Sequence, residues 1–141
     1  MTLELRATPE EVMRSVEELQ EFGRKHGMDE RDLFKALLAL EECGSNIVDY
    51  SLRRDSRQMF EVKVEYDGQN LIVELRDSGP EFDPTNFRKP QRTDNDHVGG
   101  WGLELVRQSM DEVRYRREGS ENILRLTKIV RSGQNAEKLN L

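Results

Sequence analysis

Three short stretches of the chain carry side chains whose types and spacing suit chemistry. The first is Glu42 with Asn46, a carboxylate and a carboxamide four residues apart. On a helix that spacing points both the same way. Together they can hold a divalent cation and a water. Mg²⁺ asks for oxygen ligands, keeps several waters and is often completed by substrate phosphates. One asparagine oxygen beside a carboxylate therefore suits a metal carried in by a nucleotide. The second stretch is Asp77-Ser78-Gly79-Pro80. A buried carboxylate there can accept from the exocyclic amine of a purine, which tells adenine from guanine at that edge, and Gly79 lets backbone approach the ring. The third is Gly99-Gly100-Trp101-Gly102. Glycines permit a tight turn, and exposed N–H groups at a helix start suit phosphate.

Taken singly, each stretch has an ordinary structural reading. Glu42 and Asn46 fit the wet side of an amphipathic helix, Asp-Ser-Gly ends many strands, and glycines end many loops. The glycine stretch is neither a Walker A loop, since no Gly-Lys-Ser/Thr follows, nor a Rossmann fingerprint, since an irregular loop precedes it. Other reactive residues assemble into nothing. His26 and His97 with the single Cys43 make no zinc set. Cys43 reads as a small core residue, and Trp101 as core filling or a ligand-packing ring. Arg88, Lys89 and Arg92 read as solvated charges within reach of a phosphate.

The elements that position these stretches follow from periodicity. Asp29 and Asp32 start a helix whose Leu33, Leu37, Leu40 and Ile47 form one apolar stripe, running to about Ser51. Before it, Leu3 and Leu5 alternate in a short strand, and Thr8-Pro9-Glu10-Glu11 opens a first helix through a capping box. Val12, Val16, Leu19 and Phe22 mark its buried side, and Gly27 ends it. Phe60, Val62, Val64 and Tyr66 alternate with charges. Asp67-Gly68 turns a hairpin into Leu71, Val73 and Leu75, and Asp77 closes that strand. No periodicity runs from Pro80 to Val98, and a loop of that length is more often functional than not. Leu103, Val106 and Met110 stripe a short helix. Val113, Tyr115, Leu124 and Leu126 build a last hairpin around Gly119-Ser120. Consecutive hairpins predict an α+β fold, an antiparallel or mixed sheet with its helices on one face. Residues 1–130 read as one domain, and 131–141 as a frayed tail.

Composition narrows the partners. The chain of 141 residues has a formal net charge of −6, which argues against duplex DNA or an anionic membrane as the main partner. One cysteine excludes an internal disulfide and suits a reducing compartment. No membrane-length apolar run and no signal-like start are present. The expectation is a cytoplasmic protein.

The joint order of the three stretches resembles the GHKL superfamily of gyrase, chaperone and histidine-kinase ATPase domains. Glu41-Glu42-Cys43-Gly44-Ser45-Asn46, Asp77 to Pro84 and Gly99 to Val106 are similar to the small bacterial anti-sigma factor serine kinases, as is Met110 to Tyr115. The resemblance covers Thr8 to Val130. It implies an ATP–Mg²⁺ site in a two-layer α/β sandwich with a mixed, mainly antiparallel sheet. Asn46 matches the Mg²⁺ ligand, and Glu42 the general base for the attacking hydroxyl. Asp77 with Gly79 matches the adenine reader, Gly100 and Gly102 the lid hinge, and Leu103 the amide at the helix start. Residues 84–98 match the lid. Glu81 stands where relatives often carry glycine, Asp49 sits one turn past Asn46, and no hydroxyl on the last strand matches the one some relatives place near adenine; Thr127 falls in the wrong register.

The resemblance implies an ATP-dependent serine/threonine kinase that is also a partner switch. It would phosphorylate an anti-sigma factor antagonist of STAS type and hold a sigma factor or another regulator, with homodimerisation common in such proteins. The rival is an ATP-gated binding module that phosphorylates nothing, indifferent to loss of Glu42. A detached histidine-kinase catalytic domain is disfavoured by the short lid and the absence of a phosphoacceptor helix pair.

Overall fold

The structure, a computed structural model, describes residues 1–86 and 102–131. The order is β1 (Thr2–Arg6), α1 (Pro9–Lys25), α2 (Glu30–Asn46), a π-helical turn (Ile47–Ser51), β2 (Met59–Tyr66), β3 (Asn70–Asp77), α3 (Gly102–Ser109), β4 (Glu112–Glu118) and β5 (Glu121–Ile129). Each element begins where local chemistry asks for it. Thr8 caps α1 by accepting from the Glu11 N–H at 3.2 Å, with Pro9 in the first turn. The Glu11 carboxylate reaches back past the cap to the Arg6 N–H at 3.4 Å, because the Thr8 N–H already donates to Arg6 O. Asp29 caps α2 through the Asp32 N–H.

The five strands lie in the order β1-β2-β3-β5-β4, and every pairing is antiparallel. The sheet is thus antiparallel throughout the described residues, where the sequence also allowed a mixed one. Leu5, Phe60, Val62, Val64, Leu71, Val73, Leu75, Leu124 and Leu126 point to one face and merge with Val12, Leu19, Leu33, Ala36, Leu40 and Cys43 of α1 and α2 into one buried core. The opposite face carries Glu61, Lys63, Glu74, Arg76 and Arg125, between exposed and half-buried. Period-2 alternation therefore sets the two layers.

The stripe on α2 is Leu33, Ala36, Leu40, Cys43 and Ile47, with Leu37 only partly buried against it and Phe34 exposed. Small residues at Ala36, Ala39 and Gly44 let this helix sit close to its neighbours. A Cβ on Gly44 would stand 3.1 Å from Val12 Cγ1, so the Val12 side chain of α1 packs directly on the bare α2 backbone there. Beyond Asn46 the helix widens to the π turn predicted as plain helix. Such turns recur at functional sites. This one rotates Ser51 inward, where it is buried.

Candidate functional site

Asn46 and Asp77 reach the same place from different layers. Asn46 ends α2 and Asp77 ends β3, and both are buried. Together with Cys43, Ile47, Leu75, Phe82, Tyr115 and Leu124 they line a cleft between the helices and the end of the sheet. Its free volume is ≈ 10 Å³, room for about one water. The walls are apolar with a few aimed polar groups, the composition expected of a ligand site. A larger hollow of ≈ 610 Å³ lies over the opposite sheet face among Arg114, Arg116, Arg125 and Glu112. It contains none of the buried polar groups.

The Asp77 carboxylate is held on three sides. Its Oδ1 accepts from Ser51 Oγ at 2.6 Å, from the Gly79 N–H at 2.9 Å and from Asn122 Nδ2 at 3.0 Å. None of those three donors serves Oδ2. Gly79 is required by this packing, since a Cβ there would lie 2.5 Å from Ser51 Oγ and 3.0 Å from Asp77 Oδ1. The Gly79 carbonyl accepts in turn from Arg117 Nη1 at 2.9 Å.

Asn46 is the opposite case. Its Oδ1 is the one buried side-chain polar atom, among the described residues, with no hydrogen-bond partner. An unpaired buried acceptor costs about 1–3 kcal/mol and calls for a ligand. A hard cation is the chemistry that an amide oxygen suits. Asp49 is turned away from this position, because it pairs with Arg54 Nε at 2.7 Å.

The segment after β3 crosses the cleft. Phe82 stacks on Tyr50 with ring centroids 6.2 Å apart and 13° between planes. Asp83 accepts from the Thr85 N–H and hydroxyl, and Arg107 of α3 donates to Thr85 O at 2.8 Å. Tyr115 lines the cleft from β4, and burial pushes its phenol above the usual range.

Of the residues predicted from sequence, Asn46, Asp77 and Gly79 come together. Glu42 is half-buried one turn earlier on α2 and does not line the cleft. Gly102 opens α3 and Leu103 is half-buried in its first turn, while α3 packs on α2. Gly100, Trp101, His97, Arg88, Lys89, Arg92 and the lid from residue 87 lie outside the described residues, as does the tail from 132. Cys43 is buried as expected, and it also lines the cleft. Thr127 pairs with Ile72, far along the strand from Asp77. Two site residues were missed. The apolar spacing makes Ser51 a plain helix end, and the one signal for Asn122 is a further step of the Leu124–Leu126 alternation, which puts a polar residue on the inner face.

Fold and site together define a class, and comparison places the chain in it: over residues 5–128 it matches, and it belongs to, the histidine kinase-like ATPase domain family. The family is one of ATP-binding domains. The serine/threonine-protein kinase BtrW of Bordetella bronchiseptica is similar to this chain, 26% identical over 129 residues that cover 89% of this chain and 91% of that protein. The crystal structure of the RsbU and RsbW domains of Rv1364c from Mycobacterium tuberculosis shares the fold, with a TM-score of 0.63 at 20% identity over 92% of this chain. This chain spans 32% of that one. No helix among the described residues is long and apolar enough to cross a membrane.

Proposed function

We propose that the chain is an ATP- and Mg²⁺-dependent protein serine/threonine kinase acting as a cytoplasmic anti-sigma partner switch, whose phosphorylated substrate is an antagonist domain of STAS type. The observation that carries the nucleotide part is the unpaired, buried Asn46 Oδ1 in one cleft with a thrice-bonded Asp77. Asn46 would hold the Mg²⁺ that neutralises phosphate charge. Asp77 would accept from the adenine amine through Oδ2, with Gly79 giving the ring room. Glu42, one helical turn from Asn46, would take the proton of the attacking hydroxyl. Gly100, Gly102 and Leu103 would hinge the lid and offer an amide to phosphate at the start of α3. Phosphoryl transfer asks mainly for such positioning and charge neutralisation. The cleft as it stands is too narrow for a purine, so the Phe82 ring and Pro84, which also lines the cleft, must swing outward when nucleotide enters while the Phe82 amide stays on Asn122.

The similarity to BtrW over nearly its whole length supports protein kinase activity. The rival, an ATP-gated binding module without transfer, draws on the position of Glu42 outside the cleft lining. Incubation with Mg²⁺–ATP and a STAS-type antagonist separates them. The proposal expects phosphate on the antagonist from the intact chain and none from Glu42→Ala. Capture of a partner with no transfer by the intact chain favours the rival.

A further inference from the structure

Asn122 is 3% exposed and stands directly across the β3–β5 ladder from Asp77. Its amide is consumed at both ends. Nδ2 lies 3.0 Å from Asp77 Oδ1, 2.9 Å from Pro80 O, 3.4 Å from Ser51 Oγ and 3.5 Å from Gly79 O. Oδ1 accepts from Tyr115 O–H at 2.6 Å, the Phe82 N–H at 3.0 Å and Arg117 Nη1 at 3.1 Å. Acceptors surround one end and donors the other, so the orientation of this amide follows from its neighbours and is not arbitrary. A single side chain thus ties three segments. It joins the end of β3, the loop that crosses the cleft, and β4.

We propose that Asn122 is a positioning residue for base recognition: it fixes the Asp77 carboxylate and the Pro80–Phe82 backbone relative to each other, without itself touching nucleotide. This rests on the reading of Asp77 as the adenine reader. Asn122 has no capacity left for a ligand, since its two N–H and its oxygen are already spent. Its influence must run through Asp77 Oδ1 on one side and the Phe82 amide on the other. A donor facing Asp77 is essential to that role. A second acceptor there would push the carboxylate and the loop carbonyls away.

Asn122→Asp tests this because it keeps size, shape and the Oδ1 contacts while turning the donor end into an acceptor. The two carboxylates would then share one proton, and an opposed pair of this kind has one member that stays protonated well above the usual carboxylate range. The charged and titratable groups facing the position are Asp77 from β3 and Tyr115 and Arg117 from β4, with Glu81 and Asp83 of the loop near enough to act on Tyr115. The Kd for Mg²⁺–ATP and for Mg²⁺–GTP is measured by calorimetry for the intact chain, Asn122→Asp and Asn122→Ser at pH 8 and pH 5.5. The expected result is a loss of roughly 10- to 100-fold for Asn122→Asp at pH 8, with weaker preference for ATP over GTP, and recovery of most of that loss at pH 5.5 relative to the intact chain. Asn122→Ser, which cannot titrate, should lose about 5-fold or more, equally at both pH values. Intact-chain affinity in Asn122→Asp at pH 8, or a loss that does not respond to pH, overturns the proposal. If Asn122→Asp does not fold by circular dichroism, Asn122→Ser decides, and intact-chain affinity there overturns it. Failure of the intact chain to bind ATP overturns instead the adenine reading on which the proposal stands, and the proposal with it.

Discussion

Two polar groups in one cleft are treated in opposite ways. At the sheet end, Asp77 receives three donors on a single oxygen, and one of the donor residues, Gly79, has no side chain to crowd them. At the helix end, the oxygen of Asn46 is buried and receives none. The first arrangement is rigid and complete on its own, as a recognition group must be if it is to discriminate without reorganising. The second is incomplete and carries a cost to stability until something arrives. Within one cleft, then, the fold holds both a preformed reader and an open coordination position.

The sharpest way to break this contrast is to remove both groups. Asp77→Ala leaves the Ser51 hydroxyl and the Gly79 N–H without their acceptor and takes one of several from the Asn122 amide. It should cost several kcal/mol of unfolding free energy in urea melts, at about 1–3 kcal/mol per orphaned group. Asn46→Leu removes an atom that was already orphaned. Its stability should stay within about 1 kcal/mol of the parent or rise, while Mg²⁺-dependent ATP affinity disappears. Equal destabilisation by the two changes would erase the distinction.

Glu42 belongs to the helix end but stands outside the cleft lining. Glu42→Gln should leave the Kd for ATP within about 3-fold and lower single-turnover phosphate transfer by about 10²- to 10⁴-fold. A matching loss of binding would move Glu42 from proton acceptor to ligand contact. Gly79→Ala probes the sheet end again, by crowding rather than deletion. With Ser51 Oγ 2.5 Å and Ser51 O 3.0 Å from the new methyl, the cost should be about 1–3 kcal/mol, read as a lower melting temperature together with weaker ATP binding.

The legibility of the molecule from sequence follows the same division. Alternation in β2, β3 and β5 and the stripe on α2 fixed the layers, because burial of one face imposes a period that side chains display directly. Asp77 was readable as a strand end, and Asn46 as one half of a four-residue pair on a helix read as running on to about Ser51. Ser51 was hidden by a π turn, since a single extra residue per turn leaves no mark on apolar spacing. Asn122 was hidden because its meaning depends on cross-strand register with Asp77, and a one-residue slip would have placed it on the wet face. The Arg53–Arg54 pair, both in the left-handed region at φ 53° and 58°, also carries no glycine or asparagine to announce the turn.

The smallest effect should come from a site remote from both ends. The Ile129 N–H, then Lys128, holds the Asp111 carboxyl below the usual carboxylate range. A lowered folded-state value stabilises the protein above the unfolded value of about 4 and is lost as pH falls through the folded one. Asp111→Asn should therefore lower stability at pH 7 by less than about 1 kcal/mol, because the group is two-fifths exposed. That difference should fade below about pH 4, and ATP binding should not change.

Calorimetric titration with ATP, in excess Mg²⁺ and again in excess EDTA, tests the cleft most directly. The account predicts saturable binding that weakens by about 10-fold or more without the metal, and an Asn46→Leu protein blind to that change. No heat at millimolar ATP, or an affinity that ignores magnesium in the intact chain, would contradict it.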